Sequence, residues 1–153
     1  MALLGGFHHV GVLTPDLNRL LAFYQTVFDA EPVLDLIDKG VRSVLIDVGG
    51  GDFLHAFEVP EGQMPLRGKP KYQRGQLDHL ALTAPTQEVF REVRRRAMDA
   101  GATDGRVHDF GPAWGLKFRD PDGMEGDLMW ADPEIPLAAL RRYTDSTVAP
   151  WSL

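Results

Sequence analysis

The chain contains no cysteine. It therefore has no disulfide, no thiolate metal ligand and no cysteine nucleophile. Basic residues are also in the minority, since 16 Lys and Arg stand against 22 Asp and Glu, for a formal net charge of −6. Proteins that bind nucleic acid in general are usually basic, so this balance argues against nucleic acid as a partner and favours a small molecule.

Long hydrophobic runs are missing as well. No run of about 18 apolar residues occurs, and the N-terminal MALLGGFHHVGVL lacks the basic region that begins a secretory signal. We therefore expect a cytoplasmic protein that does not associate with membranes. A length of 153 residues with 44% hydrophobic residues is typical of one globular domain, which we expect to span 1–153.

Two segments of the chain resemble each other. FHHVGVLTPD at 7–16 is echoed by LDHLALTAPT at 77–86, and this alignment places His9 opposite His79. A repeat at a fixed spacing indicates a structural unit that occurs twice. At a slightly longer spacing, Gly51 corresponds to Gly123 and His55 corresponds to Asp127.

Apolar periodicity predicts the same order of elements, βαβββ, in both halves. In the first half we predict strand Phe7–Leu13, a helix that begins after the cap Thr14-Pro15-Asp16, and strands Val33–Ile37, Val41–Val48 and Asp52–Val59. In the second half we predict strand Leu77–Thr83, helix Gln87–Ala100, and strands Gly105–Phe110, Gly115–Arg119 and Gly123–Trp130. The fold class is thus α+β, with module one at about 7–59, a connector at about 60–76, module two at about 77–130, and a tail at 131–153 that holds a short helix, Leu137–Tyr143, and a loose end.

Strand alternation assigns the candidate ligands to faces. His9 shares a face with Phe7 and Gly11, whereas His8 points to the other face. His55 lies with Phe53 and Phe57, and Asp127 lies with Glu125 and Met129. Three imidazoles and a carboxylate suit Zn²⁺, Ni²⁺, Fe²⁺ or Mn²⁺ and leave coordination positions open for a substrate. We predict one divalent metal ion bound by four residues: His9, His55, His79 and Asp127.

The chain resembles the vicinal oxygen chelate superfamily, which includes glyoxalase I, bleomycin-resistance proteins and extradiol dioxygenases. The resemblance runs from about Phe7 to Trp130 and rests on HVGVLTPDLNRLLAFYQTVFDAEPV, DHLALTAP and FRDPDGMEGDLMW, taken in this order. It implies two tandem βαβββ modules that form an open, barrel-like cleft, with metal ligands on the first and fourth strands of each module. It also implies a homodimer.

The residue at 127 departs from the family pattern, which most often has glutamate there. Aspartate is shorter by one methylene, roughly 1.5 Å of reach. Glu125, two residues earlier on the same face, is therefore the alternative ligand, and both carboxylates are candidate catalytic groups. Candidate substrate contacts are the apolar side chains near these positions: Phe7, Phe53, Phe57, Trp114 and Met129.

Three functions fit this pattern. The first is glyoxalase-like lyase or isomerase chemistry on a substrate that chelates the metal through two neighbouring oxygens. The second is an Fe²⁺ extradiol-type dioxygenase with His9, His79 and Asp127 as a facial triad. The third is a drug-binding resistance protein without catalysis, and the full set of histidines argues against it.

Overall fold

The structure, a computed structural model, describes residues 7–63, 77–135 and 147–152. The chain separates into two compact units, Met1–Gly68 and Lys69–Leu153. Each unit has its own sheet and its own α-helix.

The first unit has the predicted order βαβββ. Its elements are β1 (His9–Thr14), α1 (Leu17–Phe28), β2 (Glu31–Asp38), β3 (Val41–Asp47) and β4 (Phe53–Glu58), followed by a short 3-10 turn at Glu61–Gln63. The strand order in the sheet is β1-β4-β3-β2, with β1 parallel to β4 and the other neighbours antiparallel. The first and last strands of the unit are therefore neighbours.

Helix α1 begins and ends where side-chain chemistry predicts. The carboxylate Oδ1 of Asp16 accepts a hydrogen bond from the backbone N–H of Arg19 at 3.0 Å, which satisfies one free donor of the first turn. Asp29 ends the helix in the left-handed conformation, with φ 55°. The buried side chains recur at helical spacing and face the sheet: Leu17, Leu20, Leu21, Tyr24 and Val27.

The second unit repeats the order and adds one strand. Its elements are β5 (Leu80–Thr83), α2 (Gln87–Asp99), β6 (Val107–Asp109), β7 (Ala113–Arg119), β8 (Glu125–Ala131) and β9 (Thr147–Val148). The strand order is β5-β8-β7-β6-β9, and β5 is parallel to β8 as β1 is to β4. The predicted pair of βαβββ modules is confirmed.

Helix α2 is capped by Thr86, whose hydroxyl accepts a hydrogen bond from the N–H of Val89 at 3.2 Å. Its exposed side carries ion pairs from Arg95 to Glu92 at 2.8 Å and to Asp99 at 2.7 Å, at helical spacing. No helix in the described part of the chain is both long and apolar enough to cross a membrane.

The C-terminal residues correct one prediction. The expected loose end is wrong for 147–152, because β9 pairs with β6 and the N–H of Ala149, which is buried, donates to the carbonyl of Val107 at 3.0 Å. A 3-10 turn at Pro150–Ser152 follows. The predicted helix Leu137–Tyr143 lies outside the described residues, and so does most of the predicted connector.

Candidate functional site

Each sheet has one face covered by its helix and one face that carries the candidate ligands. In β4, Leu54 and Ala56 are buried, with 1% and 0% exposure, and α1 packs against this strand. Side chains alternate along a strand, so Phe53, His55 and Phe57 lie on the opposite face, where they are half-buried. We call this side of either sheet its open face.

On the open face of the first sheet, His9 and His55 are neighbours. Gly11 is the register partner of His55, and His9 lies two residues earlier on the parallel strand β1. The two imidazole ring centres are 5.4 Å apart, with the rings nearly perpendicular. A Cβ atom added at Gly11 would meet nothing within 4 Å, so the space beside His55 is open.

Burial lowers the pKa of the His55 imidazole, and the charge of the neighbouring His9 lowers it further. The Phe57 ring, 4.2 Å from His55 between centres, contributes to this apolar surrounding. His55 is therefore neutral over a wider range of pH than an exposed histidine, and a neutral imidazole is the form that binds metals.

His8 does not lie where strand alternation predicts. His8 lies one residue before β1, and although its carbonyl accepts from the N–H of Phe53 at 3.2 Å, its side chain does not follow the alternation. Its Nδ1 atom is 2.9 Å from Nδ1 of His9, and its ring centre is 5.8 Å from that of Phe53. His8 is thus a direct neighbour of His9, and the expectation that it points away is wrong.

The second unit has the same arrangement on β5 and β8. Ala81 is the register partner of Asp127, and His79 precedes Ala81 by two residues, as His9 precedes Gly11. Nε2 of His79 is 3.6 Å from Oδ2 of Asp127. The sequence repeat therefore extends to strand register.

The 3.6 Å separation between His79 and Asp127 is slightly longer than that of two ligands of one cation. Two atoms at about 2.1 Å from a metal lie about 3.0 to 3.4 Å apart at octahedral to tetrahedral angles. Within the described residues, no group of three or more metal-binding side chains is arranged as a metal site. The donors come as two pairs, and their chemistry, three imidazoles and one carboxylate, fits a divalent metal.

Two basic side chains on β7 were not predicted as part of the site. Lys117 is the register partner of Asp127, and Arg119 is the register partner of Glu125. Nζ of Lys117 is 3.1 Å from Oδ1 of Asp127, and Arg119 forms an ion pair with Glu125. The hairpin turn at Asp120-Pro121-Asp122-Gly123 could have indicated both pairs, because it sets the strands on either side in register.

These contacts distinguish the two carboxylates. Asp127 lies between His79 and Lys117, whereas Glu125 is held by Arg119 at the start of the strand. The structure thus brings Asp127, the shorter residue, together with a histidine. Glu125 remains on the same face of the sheet, two residues away.

The predicted substrate contacts divide into two groups. Phe53, Phe57 and Met129 are half-buried on the open faces, and Phe7 precedes β1 with 85% of its surface exposed. Trp114 lies on the other face of its sheet, which corrects the expectation that it accompanies Asp127. It is 9% exposed and packs against three aromatic rings: Phe90, Trp130 and Trp151.

His108 is on the open face of the second sheet, because its register partner Gly115 is paired in turn with Met129. Its ring stacks on Phe110, with 6.4 Å between centres. It has no equivalent in the first half of the sequence, so the repeat gives it no ligand role.

Comparison with known proteins places the chain in a family. The family model described as Glyoxalase/Bleomycin resistance protein/Dioxygenase superfamily matches residues 6–126. No curated protein matches the sequence. A solved glyoxylase/bleomycin resistance protein/dioxygenase domain from Frankia sp. EAN1pec is similar, with TM-score 0.70 and 21% identity, over 86% of this chain and 96% of that chain.

Two further solved structures are similar over 86% of this chain and 97% of their own. One is the fosfomycin resistance protein FosX from Listeria monocytogenes, complexed with Mn(II) and sulfate, at TM-score 0.60 and 21% identity. The other is a lactoylglutathione lyase from Agrobacterium tumefaciens, at TM-score 0.59 and 20% identity. At these identities the likeness establishes the fold.

Proposed function

Because the chain belongs to the Glyoxalase/Bleomycin resistance protein/Dioxygenase superfamily, we propose that it is a metal-dependent enzyme with glyoxalase-like lyase or isomerase chemistry on a small molecule. The observation that carries this proposal is that the first and fourth strands pair in the same register within each unit. With Gly11 opposite His55 and Ala81 opposite Asp127, each unit has a histidine two residues before the register partner of the donor on its fourth strand.

In this proposal four residues hold a divalent ion: His9, His55, His79 and Asp127. Zn²⁺, Ni²⁺, Fe²⁺ and Mn²⁺ all accept such a donor set. A bound ion would supply Lewis acidity for the negative charge that develops on a substrate with two neighbouring oxygens. FosX from Listeria monocytogenes, which has the same fold, was solved with Mn(II).

We assign different roles to the two carboxylates, Asp127 and Glu125. Asp127 faces His79 and serves as the ligand, which leaves Glu125 on the same face to take and return the substrate proton. Arg119 forms an ion pair with Glu125, which orients this carboxylate on the open face.

The substrate surface combines apolar and cationic groups. Phe53, Phe57 and Met129 contact the apolar part of the substrate, and Phe7 extends this surface beyond the start of β1. Lys117 and Arg119, which are more than half exposed, attract an anionic group. An apolar small molecule with neighbouring oxygens and negative charge fits these contacts.

The first test is metal binding. Purified, chelator-treated protein is titrated with Zn²⁺, Ni²⁺, Mn²⁺ and, anaerobically, Fe²⁺, with calorimetry as the readout. We expect one ion per chain, and we expect binding to weaken strongly in the single variants His9→Ala, His55→Ala, His79→Ala and Asp127→Ala. His108→Ala is the matched control, because it removes an imidazole from an open face without removing a proposed ligand.

The second test is catalysis by the metal-loaded protein. An α-ketoaldehyde thiol adduct should be turned over, and Glu125→Gln should reduce kcat while metal affinity stays unchanged. Failure of every divalent ion to bind would refute the proposal and favour a drug-binding protein. Metal binding with no turnover of the adduct, but with a coloured ring-cleavage product from a catechol, iron and oxygen, would favour the dioxygenase.

We also propose that the protein is a homodimer. Apolar side chains on the open face of the first sheet are exposed, among them Leu13 at 45% and Leu34 at 48%. Exposed apolar side chains on one face of a sheet are available for contact with a second copy of the chain. Light scattering with size-exclusion chromatography should give twice the chain mass of 17.0 kDa, and a single-chain mass over a wide range of concentration would contradict this.

A further inference from the structure

His9, the first residue of β1, and His79, just before β5, are each preceded by a residue that hydrogen-bonds to the imidazole. His8 and Asp78 occupy the same place in the two halves of the repeat, one residue before His9 and His79. Nδ1 of His8 lies 2.9 Å from Nδ1 of His9, and Oδ2 of Asp78 lies 2.8 Å from Nδ1 of His79. Two chemically different side chains thus contact the same ring atom of equivalent histidines.

The contact with Asp78 determines where the proton of a neutral His79 resides. An ionised carboxylate has only acceptor atoms, so Nδ1 of His79 must carry the hydrogen. The Nε2 lone pair is then free, and this is the atom that lies 3.6 Å from Oδ2 of Asp127. Two acceptor atoms that face each other are stabilised by a cation bound to both.

The contact with His8 requires one donor and one acceptor. If Nδ1 of His9 donates, Nε2 of His9 is the available ligand atom, and Nδ1 of His8 accepts. The opposite assignment would put a hydrogen on Nε2 of His9 and prevent that atom from binding a metal. Metal-ligating histidines generally donate their second ring N–H to a neighbouring acceptor, which fixes both tautomer and ring orientation.

We propose that Asp78 and His8 are positioning residues, which hold His79 and His9 as Nδ1–H tautomers so that Nε2 of each is the metal-binding atom. This inference rests on the proposed metal-dependent function. Because Asp78 is an anion and His8 is not, the stronger effect belongs to Asp78. Loss of such a partner typically costs about 10- to 100-fold in metal affinity.

The test is performed first without metal. Long-range ¹H–¹⁵N correlation spectra of the full-length, chelator-treated protein report the tautomer of each histidine. We expect Nδ1–H for His79 in the wild type and a shift toward Nε2–H in Asp78→Ala. Asp78→Asn should retain the wild-type tautomer, because its amide oxygen still accepts. His8→Ala and His8→Gln form the equivalent pair for His9.

Metal affinity is the second readout. With Zn²⁺ as the probe, Asp78→Ala should bind about 10- to 100-fold more weakly than the wild type, with Asp78→Asn in between. Asp109→Ala is the control for removal of an aspartate next to a histidine, and it should change neither the His79 tautomer nor the affinity.

The outcomes separate this inference from the proposed function. An unchanged His79 tautomer in Asp78→Ala would overturn the inference, whatever the metal affinity. Equal Zn²⁺ affinities of Asp78→Ala and the wild type would overturn the inference while leaving the proposed function intact. A wild type that binds no divalent ion would overturn the proposed function, and the metal-binding role assigned to these tautomers with it.

Discussion

Lys117 and Asp127 face each other on neighbouring strands, with Nζ of Lys117 3.1 Å from Oδ1 of Asp127. The opposite oxygen of this carboxylate faces Nε2 of His79. The lysine side chain is 63% exposed, so the pair is partly screened by solvent. Asp127 therefore has a cationic partner that a metal ion would have to displace or tolerate.

Replacing Lys117 should strengthen metal binding. In Lys117→Met the carboxylate loses its competing cation, and an exposed ion pair is worth about 0.2–1 kcal/mol. The dissociation constant for Zn²⁺ should fall by up to about fivefold, measured by calorimetry at low ionic strength. Lys39→Met, in the turn between β2 and β3, is the matched control. Weaker binding in Lys117→Met would mean that the lysine holds Asp127 in place for the metal.

Gly126 leaves space that the ring of Phe118 fills. A Cβ atom at position 126 would clash with the ring of Phe118, whereas the same atom at Gly11 would meet nothing within 4 Å. We expect Gly126→Ala to lower the free energy of unfolding by about 1–3 kcal/mol, because Phe118 must leave its position in the core. Gly11→Ala is the control. Equal stability of the two variants in urea would contradict the packing at β8.

Trp151, near the C-terminus, packs against arginine side chains of helix α2. The guanidinium carbons of Arg91 and Arg94 lie 5.4 and 5.2 Å from its ring centre, and Trp114 lies 5.2 Å away between ring centres. Each cation–π contact is worth about 0.5–1 kcal/mol at an exposed site. Trp151→Ala should therefore cost about 1–3 kcal/mol in urea denaturation. Trp151→Phe should retain most of this stability, and a phenylalanine variant as unstable as alanine would argue against ring contacts as the cause.

Asp120 gives the protein a pH-dependent stability. Its buried carboxylate accepts hydrogen bonds from the N–H groups of Asp122 and Met124, yet burial raises the pKa of this carboxyl above 3.8. As pH rises past 3.8, the unfolded chain ionises first, so the wild type loses stability until the pKa of the folded form is passed. Asp120→Asn keeps an acceptor oxygen and cannot ionise.

The stability of Asp120→Asn relative to the wild type should consequently improve as pH rises from about 3.5 toward 7, measured as urea midpoints. Asp132→Asn is the comparison, since Oδ1 of Asp132 accepts from the N–H of Glu134 in a similar turn. A relative stability of Asp120→Asn that falls with increasing pH would reverse the inferred sign of the pKa shift.

Local patterns were sufficient to predict most of the architecture. Helices α1 and α2 each combine a stripe of apolar residues with a capping side-chain oxygen, from Asp16 and Thr86. Both signals come from residues close together in sequence, so they can be recognised without knowledge of the fold. The repeat predicted that His55 and Asp127 lie at equivalent positions on the fourth strands of the two units, and the strand register agrees, but the parallel pairing of β1 with β4 was not predicted.

The features that local patterns missed depend on partners distant in sequence. β9 is two residues long, and its strand conformation comes from pairing with β6. Trp114 was expected beside the ligands, although its alternation with Lys117 and Arg119 indicates the helix-covered face. His8 was assigned by alternation to the other face, but the strand begins one residue later.

The parallel pairing of first and last strands in each unit has a consequence for the order of folding. A parallel neighbour cannot be reached through a tight turn, and here helix α1 and strands β2 and β3 lie between β1 and β4 in the sequence. His9 and His55 are thus brought together by a contact between parts of the unit that are distant in sequence, and contacts of this kind are slow to form. A chain under synthesis that ends before β4 lacks His55, and therefore this pair, altogether.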